Sequence, residues 1–175
     1  MKYSKTQVVY HWLTAALIFV MLGTGLAYRF DLADRAALNA HQIAGQLLIV
    51  VLALRVGARL MRRRPVTRHQ HAAWERLLAG AVHFGLYGTM IAFVITGYVS
   101  ASALSSNSLI APVDITFARS DTGEWLLDIH YMLKWVLLGF FGLHLAGALK
   151  HLLIDRDDSF SHMTFTSKKQ EPPNA

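Results

Sequence analysis

The chain has 175 residues, of which 54% are hydrophobic and 16% charged, with a net charge of +6 and no cysteine. This length is typical of one domain, and the hydrophobic share indicates a membrane protein. The lack of cysteine excludes disulfides, thiolate-ligated haem and iron–sulfur clusters.

Four long apolar stretches dominate the sequence, at about 8–28, 41–60, 79–101 and 125–150. Each is near the ~20 residues that an α-helix needs to cross the hydrocarbon core of a bilayer. The first stretch contains His11 and ends without a clear cleavage site, so we expect a retained helix rather than a signal peptide. The predicted fold is all-α: an integral membrane four-helix bundle over residues 1–155, followed by a polar cytoplasmic tail at 156–175.

Basic residues concentrate on one side of these predicted helices. The connection between the second and third helices carries arginines against Glu75 alone, namely Arg55, Arg59, Arg62, Arg63, Arg64, Arg68 and Arg76. The other two connections are neutral to acidic. The positive-inside rule therefore places both termini and the arginine-rich loop in the cytoplasm, as in a protein of the bacterial inner membrane. We interpret the positive charge as this topology signal, and we expect contact with membrane lipid and no nucleic-acid binding.

Four histidines lie in the apolar stretches: His11, His41, His130 and His144. Ionisable residues inside membrane segments are costly and rare, so each is a functional candidate. The fourteen residues from His130 to His144 rise about 21 Å over almost four helical turns, which puts both side chains on one helix face. The topology pairs His41 with His130 on the periplasmic side and His11 with His144 on the cytoplasmic side. Two histidines per level suit six-coordinate haem b better than zinc, which needs three or four converging ligands.

Other residues near these histidines are candidates for supporting roles. Arg55 lies fourteen residues after His41, the position at which a second histidine would stand if this helix repeated the spacing of His130 and His144. We expect Arg55 to pair with haem propionates or to reach the interface. Lys134 is expected to hold a propionate or a substrate on the periplasmic side. His151 is a candidate hydrogen-bond donor to a quinone carbonyl or a proton carrier, or else an ordinary histidine at the membrane interface. Lys134 and His151 are therefore the candidate catalytic residues, while His83 could line the cytoplasmic site or compete with His11 as a ligand.

Glycines recur around the histidines, at Gly45, Gly80, Gly85, Gly88, Gly139, Gly142 and Gly147. They would make room for a flat haem between helices, or would serve the close packing that is common between membrane helices. The sequence leaves both interpretations open.

The sequence resembles the prokaryotic cytochrome b561 family, which is also similar to the cytochrome b subunits of hydrogenases and formate dehydrogenases. The matching stretches are YHWLTA, NAHQIAGQLLIVVLALR, AGAVHFGLYGTMIAFVITGY and DIHYMLKWVLLGFFGLHLAGALKH. The resemblance implies a four-helix membrane cytochrome with two haems b, one near each membrane surface. It also implies the ligand pairs that depth predicts, His41 with His130 and His11 with His144.

The resemblance further implies electron transfer across the membrane, coupled to the quinone pool. One activity in the family is the oxidation of periplasmic superoxide to O₂ with reduction of ubiquinone. That reaction favours a positive periplasmic entrance. Here the periplasmic loops are neutral to acidic, and the available basic residues are Arg29, Arg35, Arg119 and Lys134. The alternative is a haem-bearing anchor or relay that takes electrons from a periplasmic protein or a multisubunit dehydrogenase, since an acidic outer loop would suit a basic partner.

Overall fold

The computed structural model describes residues 4–61, 72–104 and 109–157. The helices are α1 (Lys5–Arg29), α2 (Arg35–Leu60), α3 (Ala73–Leu104), α4 (Ile115–Ala118) and α5 (Asp121–Lys150), followed by one π-helical turn (His151–Asp155). Four of these helices are long and apolar enough to cross a membrane. The prediction of an all-α protein with four membrane-spanning helices is therefore confirmed. Arg62, Arg63, Arg64 and Arg68 of the arginine-rich loop, and the predicted tail beyond Asp157, lie outside the described residues.

Polar capping residues extend the helices beyond the apolar stretches. The Ser4 side chain accepts a hydrogen bond from the backbone N–H of Gln7, and the Gln7 side chain accepts one from the Ser4 backbone, which forms a capping box. Asp34 caps α2 through the Ala36 N–H at 2.9 Å, and Ser120 caps α5. Because these side chains satisfy the first backbone N–H groups, the helices begin in the polar flanks rather than at the first apolar residue.

The long helices pack as two neighbouring pairs, α1 against α2 and α3 against α5. The bundle end that holds Lys5, Leu60, Ala73 and Lys150 is called the terminal end here. The opposite end, where α1 connects to α2 and α3 connects through α4 to α5, is called the loop end. At the terminal end the Lys150 ammonium forms a 2.9 Å ion pair with Glu75, which ties α5 to α3.

The segment between α3 and α5 folds back onto the loop end. The buried Gln46 side chain accepts hydrogen bonds from the backbone N–H groups of Leu109 (2.6 Å) and Ile110 (3.1 Å). The Ser102 hydroxyl accepts a third, from Val113 at 3.1 Å. A buried carboxamide oxygen needs such hydrogen-bond partners. These bonds therefore stabilise the buried Gln46 side chain and hold the segment between α3 and α5 in place.

Candidate functional site

At the loop end, His41 of α2 faces His130 of α5, with ring centroids 6.1 Å apart and ring planes at 84°. Imidazole nitrogens bind transition metals at about 2 Å, so two imidazoles on opposite sides of one metal ion have centroids roughly 6 Å apart. The spacing of His41 and His130 therefore fits two histidines that would hold one haem iron between them.

Hydrogen bonds to neighbouring helices fix the Nδ1 atoms of this pair. His41 Nδ1 lies 2.8 Å from the carbonyl oxygen of Met21, so it carries the proton and donates. The Thr96 hydroxyl donates to the Ala92 carbonyl at 2.8 Å, which leaves its oxygen to accept from His130 Nδ1 at 3.1 Å. Both rings thus keep the lone pair on Nε2, as metal-binding histidines do when Nδ1 donates to an outer partner.

Two glycines that the sequence analysis did not single out allow the histidines to approach the neighbouring helices. A Cβ atom at Gly25 would lie 2.8 Å from His41 Nδ1, and one at Gly97 would lie 2.8 Å from His130 Cε1. Both distances are too short for real side-chain contacts, so each position needs glycine for close approach. The sequence offered no signal for them, because each glycine and its histidine lie on different helices.

We expect Gly25→Ala to weaken haem binding at the loop end by about tenfold, because the methyl group would displace His41 from its bond to Met21. Gly23→Ala is the matched control, since Gly23 lies on the same helix with nothing within 4 Å of its Cβ position. Haem titration of the purified variants measures the effect. Equal haem affinity in both variants would contradict this role for Gly25.

The glycines that recur around the histidines in the sequence differ in what surrounds their Cβ positions. A Cβ at Gly85 would collide with the Phe140 ring, so this glycine serves helix packing between α3 and α5. A Cβ at Gly45 would lie 3.4 Å from the Met21 methyl group, an ordinary to tight contact. The remaining positions have nothing within 4 Å, namely Gly80, Gly88, Gly139, Gly142 and Gly147.

His41 and His130 line a cavity of about 320 Å³ at the loop end. Three basic side chains line the same cavity, from three different helices: Arg29, Arg35 and Lys134. No Asp or Glu of the described residues contributes to this lining. The cavity therefore combines a histidine pair with a positive wall, although the connecting loops are neutral to acidic.

Two of these cations lie near the aromatic ring of Tyr131. The Arg29 guanidinium and the Lys134 ammonium each lie 5.9 Å from the centroid of its ring, and Lys134 also lies 5.4 Å from that of Trp135. Cation–π attraction holds the two charges near each other, and among the described residues no Asp or Glu lines the cavity beside them. Arg119, the fourth basic residue considered, is outside the cavity lining.

At the terminal end, His11 of α1 faces His144 of α5, with ring centroids 6.2 Å apart and ring planes at 59°. This spacing matches that of the loop-end pair and again fits two ligands of one iron. The Arg55 guanidinium lies 2.9 Å from His11 Nδ1 and 5.3 Å from the Tyr87 ring centroid. Since arginine only donates, His11 Nδ1 is the acceptor in this contact. Arg55 thus lies within the predicted cluster, and its pairing with haem propionates stays a prediction.

His83 belongs to the same cluster. Its ring centroid lies 5.2 Å from that of His144, and its Nδ1 donates to the Ala79 carbonyl of its own helix at 2.6 Å. The shorter spacing leaves less room for a metal between the rings than the 6.2 Å spacing of His11 and His144. Geometry therefore favours His11 over His83 as the partner of His144.

His151 lies apart from both pairs, in the π-helical turn beyond α5. Its Nδ1 is 2.9 Å from a carboxylate oxygen of Asp157 and 3.1 Å from one of Asp155. Neither aspartate was a sequence-predicted site residue. The structure thus groups six of the seven predicted residues into the two histidine clusters and puts the seventh, His151, in a separate charged cluster.

Comparison with known proteins agrees with this architecture. The prokaryotic cytochrome b561 family matches residues 2–166. The chain is also 29% identical over 171 residues to cytochrome b561 homolog 2 of Escherichia coli (strain K12), which covers 93% of this chain and 90% of that protein. Four membrane-spanning helices and a match over nearly the whole length identify the chain as a member of the prokaryotic cytochrome b561 family, a multi-pass bacterial membrane protein that transfers electrons through haem b.

Proposed function

We propose that this protein holds two haems b, oxidises periplasmic superoxide to O₂ at the loop end, and reduces ubiquinone at the terminal end. His41 with His130 and His11 with His144 would be the axial ligands. Haem iron, when bound, supplies one-electron redox chemistry whose potential the surrounding protein tunes. The similar ring spacings of 6.1 and 6.2 Å support one site at each end, although the Nδ1 contacts differ: His41 and His130 donate, whereas His11 accepts from Arg55.

We propose superoxide as the substrate because the wall of the loop-end cavity is positively charged. Superoxide is a small anion, and a concave site of positive potential raises the association rate of such anions by about 10–10³-fold. Arg29, Arg35 and Lys134 supply that potential beside His41 and His130. Lys134 lies one helical turn after His130, so we assign it the binding of superoxide near the electron-accepting centre.

The remaining loop-end residues keep the histidines in position. Met21 and Thr96 hold the Nδ1 protons of His41 and His130, which keeps both rings oriented toward the space between them. Gln46 fastens the segment at Leu109 over this end. These contacts would restrict water access to the pair while the charged entrance admits a small anion.

The terminal end suits a quinone because His151 lies there beside exposed apolar side chains. Leu152, Leu153 and Ile154 are 43%, 63% and 74% exposed, as expected for residues that face lipid. Seven helical residues separate His144 from His151, a rise of about 10 Å. A lipid-soluble quinone could therefore approach His151 from the membrane. The positive-inside rule puts this end at the cytoplasmic face of the inner membrane.

The direct test uses the purified protein in detergent. We expect two haems b per chain, rapid haem reduction on addition of superoxide, and re-oxidation by ubiquinone. Haem quantitation and reduced-minus-oxidised spectra measure the first result, and stopped-flow absorbance measures the other two. One haem per chain would contradict the ligand pairs, and haems that do not react with superoxide would contradict the substrate.

A second candidate function is that of a relay for a protein electron donor. Six described carboxylates at the loop end are exposed: Asp31, Asp34, Asp114, Asp121, Glu124 and Asp128. Hydrogen bonds from the Thr116 side chain, and from the backbone of Phe117 and Thr116, hold the pKa of Asp114 below its usual range, so it stays ionised. Such a surface would steer a basic donor protein. Salt-sensitive haem reduction by a basic electron carrier, together with indifference to superoxide, would favour this function.

A further inference from the structure

A cluster of charged side chains lies at the end of α5, apart from both histidine pairs. Asp157 is its least expected member, because its side chain is only 3% exposed and carboxylates are rarely buried unless they are paired. One of its partners is His151, whose Nδ1 lies 2.9 Å from Asp157 Oδ2.

The backbone brings this pair together. The π-helical turn ends at Arg156, which adopts a left-handed conformation with φ of 50°. The chain then folds back, so that the Asp157 N–H donates to the His151 carbonyl at 3.2 Å. Single π-turns are rare and often occur at functional positions.

The two aspartates near His151 differ in their contact with Lys150. Its ammonium lies 2.7 Å from Asp155 and 2.9 Å from Glu75 of α3. Asp155, which also approaches His151 at 3.1 Å, therefore shares its charge with a lysine. The buried Asp157 carboxylate makes the shorter contact with the imidazole, so it has the greater influence on the His151 proton.

A carboxylate at Nδ1 determines how His151 carries protons. It keeps a proton on Nδ1, which makes Nε2 the nitrogen that takes up and releases the second proton. It also fixes the ring orientation, as the aspartate of an Asp–His pair does in other proton-transfer sites.

We propose that Asp157 and His151 form a proton-transfer dyad that protonates quinone at the terminal end. His151 is the catalytic residue, and Asp157 is a positioning residue that acts through it. This inference rests on the proposed reduction of quinone at this end.

The reaction balances as follows for one quinone. Two superoxide ions each lose one electron and become O₂, and the quinone gains two electrons and two protons to become quinol. His151 gives the Nε2 proton to a quinone oxygen and regains one from cytoplasmic water, once for each proton. Asp157 itself transfers no proton in this sequence.

The test measures the re-oxidation of haem separately from its reduction. Haem-loaded protein is reduced with stoichiometric dithionite and mixed with decylubiquinone in a stopped-flow instrument. We expect Asp157→Asn to slow re-oxidation by on the order of tenfold, a part of the 10²–10⁴-fold that a positioned general acid contributes.

Matched variants separate this role from a structural one. Asp157→Glu should restore most of the rate, and Asp155→Asn should stay close to the wild type because Lys150 and Glu75 still pair. A wild-type rate in Asp157→Asn would overturn the dyad, as would equal losses in Asp157→Asn and Asp155→Asn.

The same experiment distinguishes failure of the dyad from failure of the proposed function. If decylubiquinone does not re-oxidise the wild-type protein, the quinone half of the proposed function fails, and the dyad fails with it. Failure of superoxide to reduce the haems would not affect this test, because dithionite supplies the electrons.

Discussion

Replacement of His130 by alanine is expected to remove one of the two proposed haems and to abolish electron transfer across the membrane. The imidazole faces His41 at 6.1 Å, and alanine offers no ligand in its place. A six-coordinate iron that loses one axial histidine is held far more weakly. Haem quantitation should fall from two per chain to one, and superoxide should no longer reduce the remaining haem rapidly.

His83→Ala is the matched control, since it also removes a histidine from inside the bundle. We expect this variant to keep both haems, because the 5.2 Å separation of His83 from His144 is shorter than the ligand spacing of either proposed pair. His11→Ala should instead lose the terminal-end haem. A His83→Ala protein with one haem, beside a His11→Ala protein with two, would show that His83 is the partner of His144.

The second large effect is expected on the rate at which superoxide reduces the protein. The double replacement Arg29→Gln, Lys134→Gln removes two of the three charges that line the loop-end cavity. The second-order rate constant should fall by about 10–100-fold at low ionic strength, because the positive potential that gathers the anion is mostly lost. The dependence of the rate on salt should also flatten, since fewer charges remain to be screened. Stopped-flow haem absorbance at low and high ionic strength measures both changes.

Arg119→Gln provides the control for this experiment. It removes a positive charge from the same end of the bundle but outside the cavity lining, so the rate should change little. Unchanged haem content and spectra in all variants would show that the sites remain intact. An equal loss of rate in Arg119→Gln would indicate general attraction by the surface, and no loss in the double variant would exclude the cavity as the entrance.

Much of the architecture could be predicted because it depends on regular helix geometry. Apolar stretches of about 20 residues predicted the four membrane helices, which the structure confirms. The same regularity predicted two histidine pairs at two depths, and the structure places the members of each pair about 6 Å apart. Their role as ligands stays a prediction. Charge asymmetry predicted which end faces the cytoplasm, and this too stays a prediction.

The tertiary structure alone decided how residues from different helices meet. Arg29, Arg35 and Lys134 are scattered in a sequence whose outer loops are neutral to acidic, yet they line one cavity. Gly25 and Gly97 lie opposite histidines of other helices, and Asp157 reaches His151 through a π-turn and a left-handed residue. Hydropathy and helical period determine how deep a residue lies and on which face of its own helix. The rotation of each helix against its neighbours, and the irregular turns at its ends, depend on packing between distant parts of the chain, which no local pattern records.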